Sequence, residues 1–237
     1  MLKTWQKLSL IACGLACSPA QSQTRSQVTG DSNAKEAQTL YLRGDVSSTT
    51  FDSKAAGSKD SHSSIAYEVG GWFGESRVVG LSVRNSIDVV PFTLNQSESA
   101  TNFTDVRLRG RLWGIMPSVG VSLSEIDVKN KDVKTVGLFG TGMNMGLGWT
   151  GTLYPGIVLN GDAMLVKSTH IFDKLAQGTQ LGNRKEADVH IAFDVTERIL
   201  DFLVGYRLRK YDIITKDTTF AEQAAGVYVG VRLGVYF

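Results

Sequence analysis

Apolar residues recur at every second position along most of this chain, and nowhere do 18 follow one another. Val79, Leu81, Val83, Ile87 and Val89 make one such series, and Leu200, Phe202, Val204, Tyr206 and Leu208 another. A period of two gives a strand with one apolar face. It gives no amphipathic helix, and without about 20 apolar residues in a row no helix crosses a bilayer.

Strands are expected over 38–50, 64–74, 78–90, 104–116, 118–128, 138–151, 156–170, 187–196, 199–212 and 225–237. The connections between them alternate in length. Short turns are expected at Glu75-Ser76-Arg77, Met116-Pro117-Ser118, Thr152 to Pro155 and Thr196-Glu197-Arg198. Longer polar loops are expected over 51–63, 91–103, 129–137, 171–186 and 213–224. An even number of strands joined in this way is the pattern of an outer-membrane meander. The fold class is therefore all-β: a transmembrane antiparallel up-and-down β-barrel of about ten strands over 38–237. Eight is the rival count, if 64–74 and 118–128 are loops. Two aromatic girdles are expected. One holds Trp72, Phe73, Trp113, Trp149, Tyr154, Tyr236 and Phe237, and the other Phe51, Phe92, Phe103 and Phe139.

The first 20 residues read as a secretory signal peptide, with Lys3 and Lys7, an apolar stretch from Leu8 to Cys17, and Ser18-Pro19-Ala20 at the cleavage site. The alternative is a lipoprotein box, Leu10-Ile11-Ala12-Cys13, with a lipid on Cys13. Residues 21–37 are polar and aperiodic and read as a flexible periplasmic leader. Cleavage after Ala20 removes both cysteines and two of the 25 Lys and Arg, leaving 23 against 23 Asp and Glu. That balance offers no basis for nucleic-acid binding, and no residue spacing points to a metal or other cofactor.

The last segment carries Val229, Val231, Leu233, Val235 and Phe237 on one face. It resembles the C-terminal signal of bacterial outer-membrane proteins. The resemblance implies recognition by the barrel-assembly machinery, outer-membrane lipid as surroundings, and a last strand that closes against the first. In hydrocarbon no water satisfies an open sheet edge, so closure is obligatory.

With the apolar face outward, the other face lines a lumen. Its positive charges are Arg43, Arg84, Arg107, Arg109, Arg111, Arg207, Arg209 and Arg232. Its negative charges are Asp45, Glu68, Asp88, Asp105, Asp162, Asp188, Asp194 and Asp201. Arg107, Arg109 and Arg111 form a ladder. Two readings stand: a lumen filled by salt bridges in a structural or surface-interaction protein, or a small porin-like channel whose ladder attracts anions. One inner face, Gly140, Gly142, Asn144, Gly146 and Gly148, is almost without side chains. Either an arginine fills that space or a conduit runs there.

A third reading is a rim hydrolase. Parity places Ser168, His170, Asp188 and His190 inward near the long-loop rim. Asp188-Val189-His190 resembles the Asp-x-His pair of the omptin proteases, also ten-stranded, which implies a carboxylate orienting an imidazole as base. The second aspartate pair of that family has no counterpart here.

Overall fold

The computed structural model describes residues 40–55, 57–73, 78–92, 97–130, 133–196 and 199–235. The signal peptide, Cys13, the leader and Phe237 lie outside them. Strands follow one another as β1 (Leu40–Ser53), β2 (Ser58–Phe73), β3 (Val79–Phe92), β4 (Ser97–Gly110), β5 (Ile115–Asn130) and β6 (Val133–Tyr154). Then come β7 (Ile157–Asp173), a two-residue β8 (Gln180–Leu181), β9 (Arg184–Asp194), β10 (Leu200–Ile214) and β11 (Thr219–Val235). Each long strand pairs antiparallel with its neighbours, and β11 pairs with both β10 and β1. The wall is a closed antiparallel barrel of ten strands, without helices among the described residues. The eight-strand count is excluded, because β2 and β5 are full wall strands. All 14 residues of β1 pair across the closing seam, from Leu40↔Val235 to Ser53↔Glu222.

The strands are longer than expected, and the long loops largely vanish. Residues of the expected loops 51–63, 91–103 and 213–224 continue the wall in β1 to β4, β10 and β11. The reason is a change of phase within single strands. On β5, Val119 and Val121 face out, whereas Ile126 and Val128 face in and are fully buried. On β10, Phe202, Val204 and Tyr206 face out, and Tyr211 and Ile213 face in. Near the chain ends the barrel is apolar outside and charged inside. Toward the opposite, far end it is polar outside, with Ser48, Asp52, Ser61, Asn102, Glu125, Lys210 and Gln223. There its interior is apolar: Phe51, Val90, Phe103, Ile126, Val128, Leu138, Leu181, Tyr211 and Ile213 form one cluster. The outer band on β11, Val227 to Val235, is nine residues, about what a tilted strand needs to cross a bilayer.

The exterior also reshapes the girdles. Phe73, Trp113, Trp149 and Tyr154 are exposed at the terminal end. Phe51 and Phe103, expected in the far girdle, point inward and are 1% exposed. Trp72 also points inward, under the Arg111 guanidinium at 4.6 Å. The β4–β5 turn lies at Trp113-Gly114, both with positive φ (47° and 81°), not at Met116-Pro117-Ser118. Leu112 and Ile115 exchange both backbone hydrogen bonds around it. That is the two-residue hairpin whose twist matches the strands. Pro117 falls beyond the last β4–β5 pair, Arg109↔Ser118, where no ladder donor is required of it.

Candidate functional site

The charged lumen is built by period two. On β1, β3, β4, β9 and β10 the alternate residues that oppose the outer apolar face are Arg43 and Asp45, Arg84 and Asp88, Asp105 to Arg109, Arg184 to His190, and Arg207 and Arg209. A carboxylate buried without a partner is strongly unfavourable, and here each faces a guanidinium.

Asp188 is the hub. It accepts from His190 Nδ1 at 2.9 Å, Tyr228 Oη at 2.7 Å and Arg207 Nε at 3.1 Å, with Arg43 Nη2 at 3.5 Å. Arg207 also grips Asp45 with both terminal nitrogens, at 3.0 and 2.9 Å. Arg43 donates to the Tyr228 hydroxyl at 2.7 Å and lies 3.2 Å from Asp45. Gly205 makes room for this hub, since a Cβ there would meet Tyr228 Cζ at 2.5 Å and His190 Cβ at 2.6 Å.

Toward the far end, Arg209 reaches Asp88 at 2.6 Å, Glu186 at 3.3 Å and Ser86 at 2.7 Å. Arg84 meets Glu186 at 2.9 Å, and Arg184 is bonded to Asp105. Arg184 and Arg209 both stack on Phe103, at 4.4 and 4.8 Å from its ring centre. Phe103 packs edge-on against Tyr211 at 5.5 Å. The guanidinium faces thus join the ionic layer to the apolar plug, because a weakly hydrated cation tolerates an aromatic surface.

Toward the terminal end, Arg107 pairs with Asp162 at 2.5 Å and lies 3.7 Å from Glu68. Arg109 pairs with Glu68 at 2.7 Å. Arg232 pairs with Asp201 at 2.6 Å. Asp194 faces Asp201 across β9 and β10. Arg111 sits in the turn beyond β4, stacked on Trp72, so the ladder on β4 has two arginines rather than three.

The glycine face of β6 is filled by neighbouring strands, not by an arginine. A Cβ on Gly142 would meet the Lys167 carbonyl oxygen at 2.6 Å, and one on Gly146 would meet Ser118 Oγ at 2.8 Å and the Ala163 carbonyl oxygen at 2.9 Å. Asn144, fully buried, donates to Ser122 Oγ and the Val121 carbonyl at 2.9 Å.

The four rim candidates do not come together. Asp188 and His190 are bonded, as the omptin resemblance implies. However, His190 faces Asn160 on β7 and Gly205 on β10, deep in the lumen and not at the far rim. Ser168 is eight residues beyond Asn160 on β7, roughly 26 Å along the strand at about 3.3 Å per residue. Its hydroxyl donates to the Gly182 carbonyl at 3.0 Å. His170 points outward and is exposed. The register passes from Gly142↔Ser168 to Thr141↔His170, so Thr169 is an extra residue that reverses the facing beyond it. Ile171, not His170, then reaches the plug.

The lumen also holds residues outside the expected set. Arg184 and Glu186 fall in the expected loop 171–186, His62 in the expected loop 51–63, and Tyr41 and Tyr228 are uncharged positions between apolar ones. The signal for the first two was present: Arg184, Glu186, Asp188 and His190 form one unbroken alternation.

A closed ring with an outward apolar band and an ion-paired interior defines a transmembrane β-barrel of the bacterial outer-membrane kind. No protein-family model matches the chain, and no curated protein matches it. Solved structures do resemble it. Neisserial surface protein A (NspA) is 12% identical, over 84% of this chain and 98% of that one, with a TM-score of 0.42. The outer-membrane protease OmpT from Escherichia coli is 9% identical, over 83% and 94%, with a TM-score of 0.47. The translocator domain of the autotransporter NalP from Neisseria meningitidis is 9% identical, over 98% and 94%, with a TM-score of 0.44.

Proposed function

We propose that this protein is a filled, non-conducting outer-membrane barrel with a structural or surface-interaction role. It takes outer-membrane lipid as its surroundings and is inserted by the barrel-assembly machinery. The observation that carries this reading is the double filling. An ionic layer in which Arg43, Arg107, Arg184, Arg207 and Arg209 are all under 9% exposed is stacked on an apolar plug around Phe51, Phe103 and Tyr211. A conducting lumen needs a wetted path, and the packed apolar side chains of this layer block one, with the Tyr211 hydroxyl and the Glu222 carboxylate enclosed at 2% and 1% exposure. The far end then serves as a rigid platform above the bilayer.

The test is single-channel recording of the refolded mature chain in a planar bilayer, with folding checked by heat-dependent gel mobility. Correctly folded protein should leave the bilayer silent. Steady, reproducible steps would establish the porin-like alternative instead.

A further inference from the structure

The exterior just beyond the apolar band is uneven in charge. On the face made by β7, β9 and β10 it carries Lys167, Lys185 and Lys210, all exposed. Lys185 is directly opposite Lys210, and Leu165, two residues from Lys167, is directly opposite Lys185. The three backbones thus lie within about 8 Å of their neighbours. Elsewhere the same border holds Thr141 on β6 and Ala225 on β11, and on β5 it is acidic, with Glu125 bound to Lys174 at 2.6 Å. Among the described residues, none of the three lysines makes an ion pair. Two like charges directly opposite across a sheet repel, so this pairing lacks an internal reason. Toward the membrane lie Leu165, Ala187 and Leu208 and then Val189 and Tyr206, an apolar outer face.

We propose that this face holds a phosphorylated lipid of the surrounding leaflet, its phosphate among Lys167, Lys185 and Lys210 and its chains against the apolar residues below them. Charge complementarity and the matching order of charge over hydrocarbon select that occupant. The inference needs only insertion in a bilayer and is independent of whether the lumen conducts.

The refolded chain in detergent would be offered equal amounts of phosphatidic acid and phosphatidylcholine, and retained lipid counted by native mass spectrometry. The wild type should retain phosphatidic acid preferentially. K167Q/K185Q/K210Q should lose that preference by on the order of a hundredfold, at roughly fivefold for each lysine near an anionic surface. K129Q, on β5, should keep it. If the triple variant fails the gel-mobility check, K210Q alone should show the roughly fivefold loss. Equal retention of both lipids by the wild type would overturn the proposal, as would unchanged preference in the lysine variants. Displacement by millimolar inorganic phosphate would also overturn it, since the site would then read phosphate rather than lipid.

Discussion

Removing one cation from the Asp188 hub should destabilise the barrel by an amount the geometry constrains. In Arg207→Ala, Asp45 loses two hydrogen bonds of 3.0 and 2.9 Å and Asp188 loses one of 3.1 Å. The side chains are 9%, 3% and 4% exposed, so the carboxylates left behind are shielded from bulk water. Breaking a buried pair by deleting one partner costs about 3–5 kcal/mol. Asp188 keeps His190, Tyr228 and Arg43, and Asp45 keeps Arg43, which places the cost near the lower figure. With a guanidinium m-value of about 4 kcal/mol per molar, a loss of about 3 kcal/mol lowers the unfolding midpoint by roughly 0.8 M. Tryptophan fluorescence of the protein refolded in lipid vesicles reads that midpoint. The double variant Arg207→Ala/Asp45→Asn isolates the cause. If the penalty is an uncompensated carboxylate, removing that charge restores part of the loss. A midpoint within about 0.2 M of wild type, or a double variant less stable than the sum of the single changes, would refute the reasoning.

Other outcomes follow from the same geometry. Replacing Arg107, Arg109 and Arg111 with alanine should leave the bilayer silent, because the plug still closes the far end; conductance should appear only when Phe51→Ala and Phe103→Ala are added. Gly142→Val should sharply reduce refolding yield on gels, since even a Cβ meets the Lys167 carbonyl at 2.6 Å and overpacking costs about 1–3 kcal/mol or more. Trp113 is 95% exposed at the terminal end of the apolar band; its emission should be quenched by brominated lipid and, in Trp113→Ser, that fraction of the quenching should vanish. His190→Ala should leave any measured hydrolysis of peptide or lipid unchanged, because Ser168 lies roughly 26 Å along the sheet from it.

The wall was legible because alternation is a local property. Val227 to Val235 reads as a lipid-facing strand from any five of its residues. The two devices that shape the interior are not local. The phase change in β5, from Val119 and Val121 to Ile126 and Val128, is written in the sequence. Yet it follows a run of Ser and Glu, and a change of phase resembles the end of a strand. The expected β1 and β10 therefore stop short and the expected β4 begins late, so Phe51, Phe103 and Ile213 read as loop, whereas Ile126, Val128 and Tyr211 fall inside expected strands. The Thr169 bulge has no compositional mark, and one inserted residue reverses every side chain beyond it. That alone moved His170 from lumen to exterior. The charge pairs were legible as a balanced set but not as partners. Arg43 and Asp188 are far apart in sequence, and only the closing seam brings them together.

The strands do not stop where the hydrocarbon does. On β1 the outer face turns polar at Ser48 and the strand runs on to Ser53; on β5 it runs from Glu125 to Asn130. These far strand ends are paired backbone around the apolar cluster of Phe51, Phe103 and Ile126. The longer connection after β7 is itself tied down: the Asp173 carboxylate accepts from the amides of Leu175, Gln177 and Thr179 at 2.8–2.9 Å. Most surface loops must be frozen before anything can rest on them, and that ordering weakens the contact. In the Asp173–Thr179 connection that ordering is done when the barrel folds, so whatever touches it meets a shape that is already set.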